Sequence, residues 1–135
     1  MIAADSSAII AILRAEPEEQ VFIDAIVAAG ATCMSAVSLQ EASMVLTGNG
    51  GVEADWAPLD EFIDRARLEI VPHDRRLAEV AREAFLRFGK GRHPAALNFG
   101  DCASYALAKS LNIPLLFKGI DFAKTDIVSA LAAPA

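Results

Sequence analysis

At 135 residues the chain is long enough for one domain with a real core, and an apolar content of 54% excludes a disordered segment. A formal net charge of −6 excludes a simple electrostatic nucleic-acid binder, which would be basic, but not an enzyme that handles nucleic acid through metal ions. Two cysteines and two histidines, isolated from one another, argue against a disulfide or a nitrogen–sulfur metal site, so Cys33 and Cys102 read as buried free thiols.

The opening MIAADSSAII lacks the basic stretch and long apolar run of a secretion signal, and no later run approaches a membrane span. The chain therefore reads as a single cytoplasmic domain over residues 1–135. Met1 to Ala4 is a short apolar strand ending at Asp5, and Ser6 to Arg14 then carries helical spacing through Ala8, Ile9, Ile12 and Leu13. Pro17 suits the first turn of a second helix, in which Val21, Phe22, Ala25, Ile26 and Ala29 recur until Gly30. A strand over Ala31 to Met34 follows. Ser35 is placed to cap a helix from Ala36 to Thr47, which the Gly48, Asn49, Gly50, Gly51 cluster ends.

Val52 to Ala66 reads as an amphipathic helix interrupted at Pro58 and anchored by Trp56, Leu59, Phe62 and Ile63. Leu68 to Val71 is a third strand. Asp74 caps a helix to Phe88 that turns Leu77, Val80, Ala81, Ala84, Phe85 and Phe88 inward, with Gly89 closing it. The irregular stretch from Gly89 to Gly100 holds Lys90, Arg92 and His93. Asn98 then caps a helix to Leu111 that is apolar nearly all round, the signature of a buried helix, with Asp101 in its first turn. Ile113 to Phe117 is a fourth strand, followed by a turn with Asp121, a short helical turn and a last strand near Asp126 to Val128. Strands alternating with helices predict an α/β fold of three layers, a mainly parallel sheet covered by helices on both faces. Sites in such sheets form beyond the carboxyl ends of the strands, where Asp5 and Asp121 fall.

Taken singly, Asp5 and Asp101 read as helix caps and Asp121 as a turn residue. Glu41 differs. At 100° per residue it lies within the apolar arc of its helix, between Val37, Met44 and Val45, where a carboxylate needs an ion pair with one of the twelve basic residues, a hydrogen bond or a metal. If the four acids converge, two carboxylates about 5 Å apart repel by roughly 3 kcal/mol at an effective dielectric of ~20, so the group needs a cation or raised pKa values. Oxygen ligands alone select a hard ion, Mg²⁺ or Mn²⁺, and the matching chemistry is metal-assisted phosphodiester hydrolysis with a metal-activated water.

The segments IAADSSAIIAIL, MSAVSLQEASMVL, GRHPAALNFGDCASYALA and LLFKGIDFAKTDI, in that order over nearly the whole chain, resemble the PIN-domain ribonucleases of the VapC type, toxins of bacterial type II toxin–antitoxin pairs. The resemblance implies a Mg²⁺- or Mn²⁺-dependent endoribonuclease, a homodimer and inhibition by a VapB-like antitoxin inserted near the acidic pocket. Carried over by position, Asp5 and Asp101 match direct metal ligands, and Glu41 a ligand through water or the group that orients the attacking water. Many relatives place the fourth acid where this chain has Gly119, so Asp121 takes that role here and Asp126 stands in reserve. Ser6 and Ser104 are placed to hydrogen-bond the acids. Lys90, Arg92, His93 and Lys118 are candidates for holding the RNA backbone, whereas Trp56 and Tyr105, in apolar stripes, suit core or dimer packing better than base stacking.

Two other classes share some of these features. A phosphoacceptor signalling domain also has strand-end acids and a lysine after a late strand, as Lys118 is, but needs a pair of early acids where Asp5 stands alone. A non-catalytic module would use the acids to grip a basic peptide.

Overall fold

The computed structural model describes residues 1–47 and 55–131. Among them, four parallel strands form the middle layer: β1 (Ile2–Ala4), β2 (Thr32–Ser35), β3 (Glu69–Val71) and β4 (Leu115–Leu116), side by side in the order β3-β2-β1-β4. Six α-helices surround them: α1 (Ser6–Leu13), α2 (Glu19–Ala29), α3 (Ala36–Thr47), α4 (Ala57–Ala66), α5 (Arg75–Phe88) and α6 (Phe99–Leu111). The sheet order leaves β1 central, so the residue after it emerges in the middle of the carboxyl edge. That residue is Asp5.

Successive strand residues point to opposite faces, and the core divides accordingly. Ala3, Cys33 and Leu115 pack on α5 and α6, whereas Ile2, Ala4, Met34 and Leu116 pack on the layer containing α1, α2 and α4. Small residues on β1 let α6 settle close to the sheet, and Cys102, Ala103, Ala106, Leu107 and Ala108 are all buried there. Both cysteines are buried and free. No helix among the described residues is long and apolar enough to cross a membrane.

Several expectations need correction. The helix expected from Pro17 begins at Glu19, because Pro17 lies in the turn before it. The apolar run Ile113 to Phe117 pairs only at Leu115 and Leu116, and the final strand reduces to one bridge between Leu115 and Ser129. Trp56 is no core anchor: it precedes α4, stays half exposed and donates its indole N–H to the Ser43 carbonyl at 3.0 Å. The cluster Gly48, Asn49, Gly50, Gly51 and the expected helix start at Val52 lie outside the described residues.

A further correction concerns α3. Its buried side carries the small residues Ser38 and Ala42, and the arc holding Val37, Glu41, Met44 and Val45 faces a surface cavity instead of the core. Phe85 of α5, expected inward, likewise lines a surface cavity. Small side chains on the inner face of α3 let it approach its neighbours closely; Leu39 and Leu46 pack partly buried against the core, and Val37, Met44 and Val45 are left on the cavity side.

Leu59 anchors α4 and is wholly buried beside Ile9 and Met34, away from the acids. Leu59→Ala is expected to cost about 3 kcal/mol, read as a lower urea midpoint with an unchanged slope.

Candidate active site

Asp5 ends β1 and caps α1, with only 3% of its surface exposed. Its Oδ2 accepts the Ser7 backbone N–H at 3.2 Å and the Ser7 hydroxyl at 2.7 Å, and its Oδ1 accepts the Ser104 hydroxyl at 2.6 Å. Ser104 has one proton and gives it to Asp5, so in the 3.0 Å contact between Ser38 and Ser104 it is Ser38 that donates. A buried chain of hydroxyls from α3 through α6 thus fixes the Asp5 carboxylate. Ser7 also accepts the Lys118 backbone N–H at 3.0 Å, tying the segment after β4 to the same edge.

Glu41 projects from α3 and accepts a short hydrogen bond from the Ser6 hydroxyl. It lies across Gly100, where a Cβ would come within 2.7 Å of the carboxyl carbon and collide with it. Gly100 is there because a carboxylate crosses the first turn of α6. Asp101 follows it and closes a reciprocal cap with Asn98: Asn98 Oδ1 accepts the Asp101 N–H at 2.9 Å, and Asp101 Oδ2 accepts the Asn98 N–H at 3.0 Å. One Asp101 oxygen is thereby anchored.

The Asp101 carboxyl is pushed up to about 6. Burial is the largest cause, the hydrogen bond from Asn98 opposes it, and the charges of Asp5, Glu41 and Asp121 add to the rise. Asp5, Glu41 and Asp121, distant in sequence, therefore all act on Asp101. No lysine or arginine forms an ion pair with any of them among the described residues; the cations that are paired go to Glu79, Asp126, Glu16 and Glu18. Nor are the acids closed into a shell: among the described residues, no three acidic, histidine or cysteine side chains already stand together as a metal-binding group. The site is an open set of uncompensated carboxylates, with Asp5 and Glu41 held by serines and Asp121 exposed at the rim.

The remaining candidates disperse. Asp126 is not among the charges acting on Asp101: it accepts the Tyr105 hydroxyl at 2.7 Å and pairs with Lys109 at 3.1 Å and Arg87 at 3.8 Å, which makes it a brace between α5, α6 and the C-terminal segment. The Lys118 ammonium is engaged by Glu16 at 3.1 Å and Glu18 at 3.0 Å. His93 turns Nδ1 to accept the Ala95 N–H at 3.0 Å and sets its ring edge-on to Phe88, so it shapes its loop. Lys90 and Arg92 are exposed, the latter 5.9 Å over the Phe85 ring. Ser7, Ser38 and Gly100 were not singled out from sequence. The second serine of DSS was the available signal for Ser7; nothing local marks the other two.

A model of the PIN domain matches residues 2–128. The chain is 45% identical over 128 residues to Ribonuclease VapC28 of Mycobacterium tuberculosis, covering 94% of this chain and 96% of the relative. It belongs to the VapC family of PIN domains. Ribonuclease VapC of Mycolicibacterium smegmatis is 42% identical over 125 residues, covering 93% of this VapC-family chain and 96% of the relative. The solved structure of VapC20 of Mycobacterium tuberculosis, a sarcin–ricin loop cleaving toxin, superposes with a TM-score of 0.73 at 19% identity, covering 95% of this chain and 97% of that one, which places the fold.

Two outcomes follow from this geometry. With its pKa raised from 3.8 to about 6, Asp101 binds a proton more tightly folded than unfolded, so its contribution to stability falls as pH rises through that window and is fully unfavourable above it. In metal-free protein Asp101→Asn, which keeps an acceptor for the Asn98 amide, is expected to raise Tm at pH 7.5 by about 3 °C, of order 1 kcal/mol after solvent screening, with the gain gone by pH 4. Gly100→Ala is expected to fold yet lose at least about tenfold in activity through displacement of Glu41, measured as kcat/KM beside a thermal melt.

Proposed function

We propose that this VapC-family domain is a Mg²⁺- or Mn²⁺-dependent endoribonuclease, the toxin half of a type II toxin–antitoxin module. The observation that carries the reading is the group Asp5, Glu41, Asp101 and Asp121, gathered at the carboxyl edge of the sheet without a basic partner among the described residues. Its donors are all oxygen, which fits a hard divalent ion and disfavours zinc. Supporting it, the relatives at 42–45% identity are named ribonucleases. VapC20 is a sarcin–ricin loop cleaving toxin, which makes structured RNA the first substrate class to test here.

In this reading Asp5 and Asp101 would hold the ion directly, Glu41 would orient the attacking water or bind through water, and Asp121 would be the fourth acid of the set. Such an ion, when bound, supplies Lewis acidity and charge neutralisation to phosphodiester hydrolysis. The protein's own part is positional. Ser104 and Ser7 hold the Asp5 carboxylate, Ser6 holds that of Glu41, and the Asn98 cap occupies only one of the two Asp101 oxygens. The exposed Lys90 and Arg92 serve the RNA backbone, the paired Lys118 and the loop-shaping His93 less so. The chain acts in the cytoplasm, as a homodimer, and a VapB-like antitoxin silences it by placing a basic side chain near the acids.

Incubating the purified chain with structured RNA and Mg²⁺ or Mn²⁺ should give discrete cuts that EDTA abolishes and Asp101→Asn slows by at least about a thousandfold. Metal-independent cutting that survives that substitution would overturn the assignment.

A further inference from the structure

Asp121 sits on a segment that the sheet does not hold. β4 stops at Leu116, residues 117–121 form neither helix nor strand, and Gly119, at φ +98, and Ile120 are exposed in the middle of the segment. Its two ends are weighted toward the core by Phe117 and Phe122, whose ring centroids lie 5.2 Å apart. Apolar packing has no direction, so the rings hold the segment down without fixing where it lies along the sheet edge. Directional contacts have to do that.

Lys118 supplies them, and it meets α1 at both ends. At the start of α1 its backbone N–H goes to the Ser7 hydroxyl at 3.0 Å, and Ser7 passes its own proton to Asp5 at 2.7 Å. Beyond the end of α1 its ammonium lies 3.1 Å from Glu16 and 3.0 Å from Glu18. Both holders stand on fixed backbone. α1 closes with Ala15 left-handed at φ 50 and the Glu16 N–H on the Ala11 carbonyl at 2.9 Å, while the Glu18 carbonyl accepts the Phe22 N–H at 3.0 Å in the first turn of α2. Oε2 of Glu18 is shut off from water with no hydrogen bond aimed at it, so the ammonium beside it is the charge that compensates it.

The geometry points to Lys118 as a positioning residue: clasped between Glu16 and Glu18, its side chain fixes the segment that presents Asp121, three residues on, to the other acids. The proposal rests on the metal-site reading above and adds the device that sets the fourth acid. A lysine already shared by two carboxylates is a poor cation for an RNA phosphate, which separates this role from backbone binding. Partly exposed pairs of this kind contribute only about 1 kcal/mol or less to folding, whereas a shift of about 1 Å in a site costs on the order of a hundredfold. The clasp matters to the site far more than to the fold.

Mn²⁺ affinity, read from the paramagnetic resonance of the free ion beside a thermal melt, tests it. Lys118→Met keeps the stem and the amide that reaches Ser7 but removes the ammonium; Glu16→Gln combined with Glu18→Gln removes both holders. Each variant is expected to raise the Kd for Mn²⁺ about tenfold, while Tm moves by no more than about 4 °C. Net charge alone predicts opposite signs, since losing a lysine makes the surroundings more negative and losing two glutamates less so. Added to Asp121→Asn, Lys118→Met should weaken binding no further, because both act through one acid. Unchanged or tighter binding in Lys118→Met, or a loss that adds in full to that of Asp121→Asn, would overturn the proposal. So would a glutamine pair that binds Mn²⁺ as wild type does and RNA more tightly, the mark of a lysine freed to hold phosphate. A wild type without saturable Mn²⁺ binding would instead remove the metal reading of the site, and this proposal with it.

Discussion

Uncompensated negative charge at the carboxyl edge of the sheet is the constraint on which the rest of the structure depends. Folding brings Asp5, Glu41 and Asp121 into electrostatic reach of Asp101, whose carboxyl is pushed up to about 6 by burial first and by their three charges in addition. The chain has twelve basic residues that might have neutralised these acids. Those that are paired go elsewhere: Lys118 to Glu16 and Glu18, Lys109 and Arg87 to Asp126, Arg75 to Glu79. The acids receive neutral donors instead, the hydroxyls of Ser6, Ser7 and Ser104 and backbone N–H groups. Neutral donors hold a carboxylate in place without cancelling its charge, and that is the condition under which it can still attract a cation.

The fold supplies this arrangement through small residues. Ala3 and Ala4 on β1, the alanines of α6, and Ser38 and Ala42 on α3 bring α1, α3 and α6 close enough for side chains as short as serine to bridge them. Gly100 is the extreme case, since one methyl group there would expel Glu41. The same close packing turns larger apolar residues outward on the α3 side, leaving Met44 and Phe99 exposed. Site and surface patch are two consequences of one packing choice.

How much of this could be read in advance depended on whether the signal was local. Asp5 and Asp101 were legible because a strand–acid–helix junction and an Asn-x-x-Asp cap are written within a few residues. Glu41 stood out through helical phase, although the apolar arc around it marked a surface hollow and not the core. Periodicity reports which residues share a face, not what that face meets. Gly100 and Ser38 were invisible because their roles exist only across a helix–helix contact, Glu41 over Gly100 and Ser38 against Ser104. The partners of Lys118 and Asp126 were hidden likewise, since a charged side chain takes its meaning from what tertiary packing puts beside it. The strand expected over Ile113 to Phe117 shrank to two residues because an apolar run records burial, whereas pairing also needs a neighbouring strand of matching extent.

Proton release on ion binding tests the central claim most directly. Isothermal calorimetry of Mn²⁺ binding at pH 6, repeated in two buffers of different protonation enthalpy, counts the protons displaced. If the ion is drawn by the uncompensated carboxylates, binding at pH 6 releases about half a proton from Asp101, and the release vanishes by pH 8, where that group is already ionised. Saturable binding with no proton release at pH 6, or no saturable binding at either pH, would contradict the account.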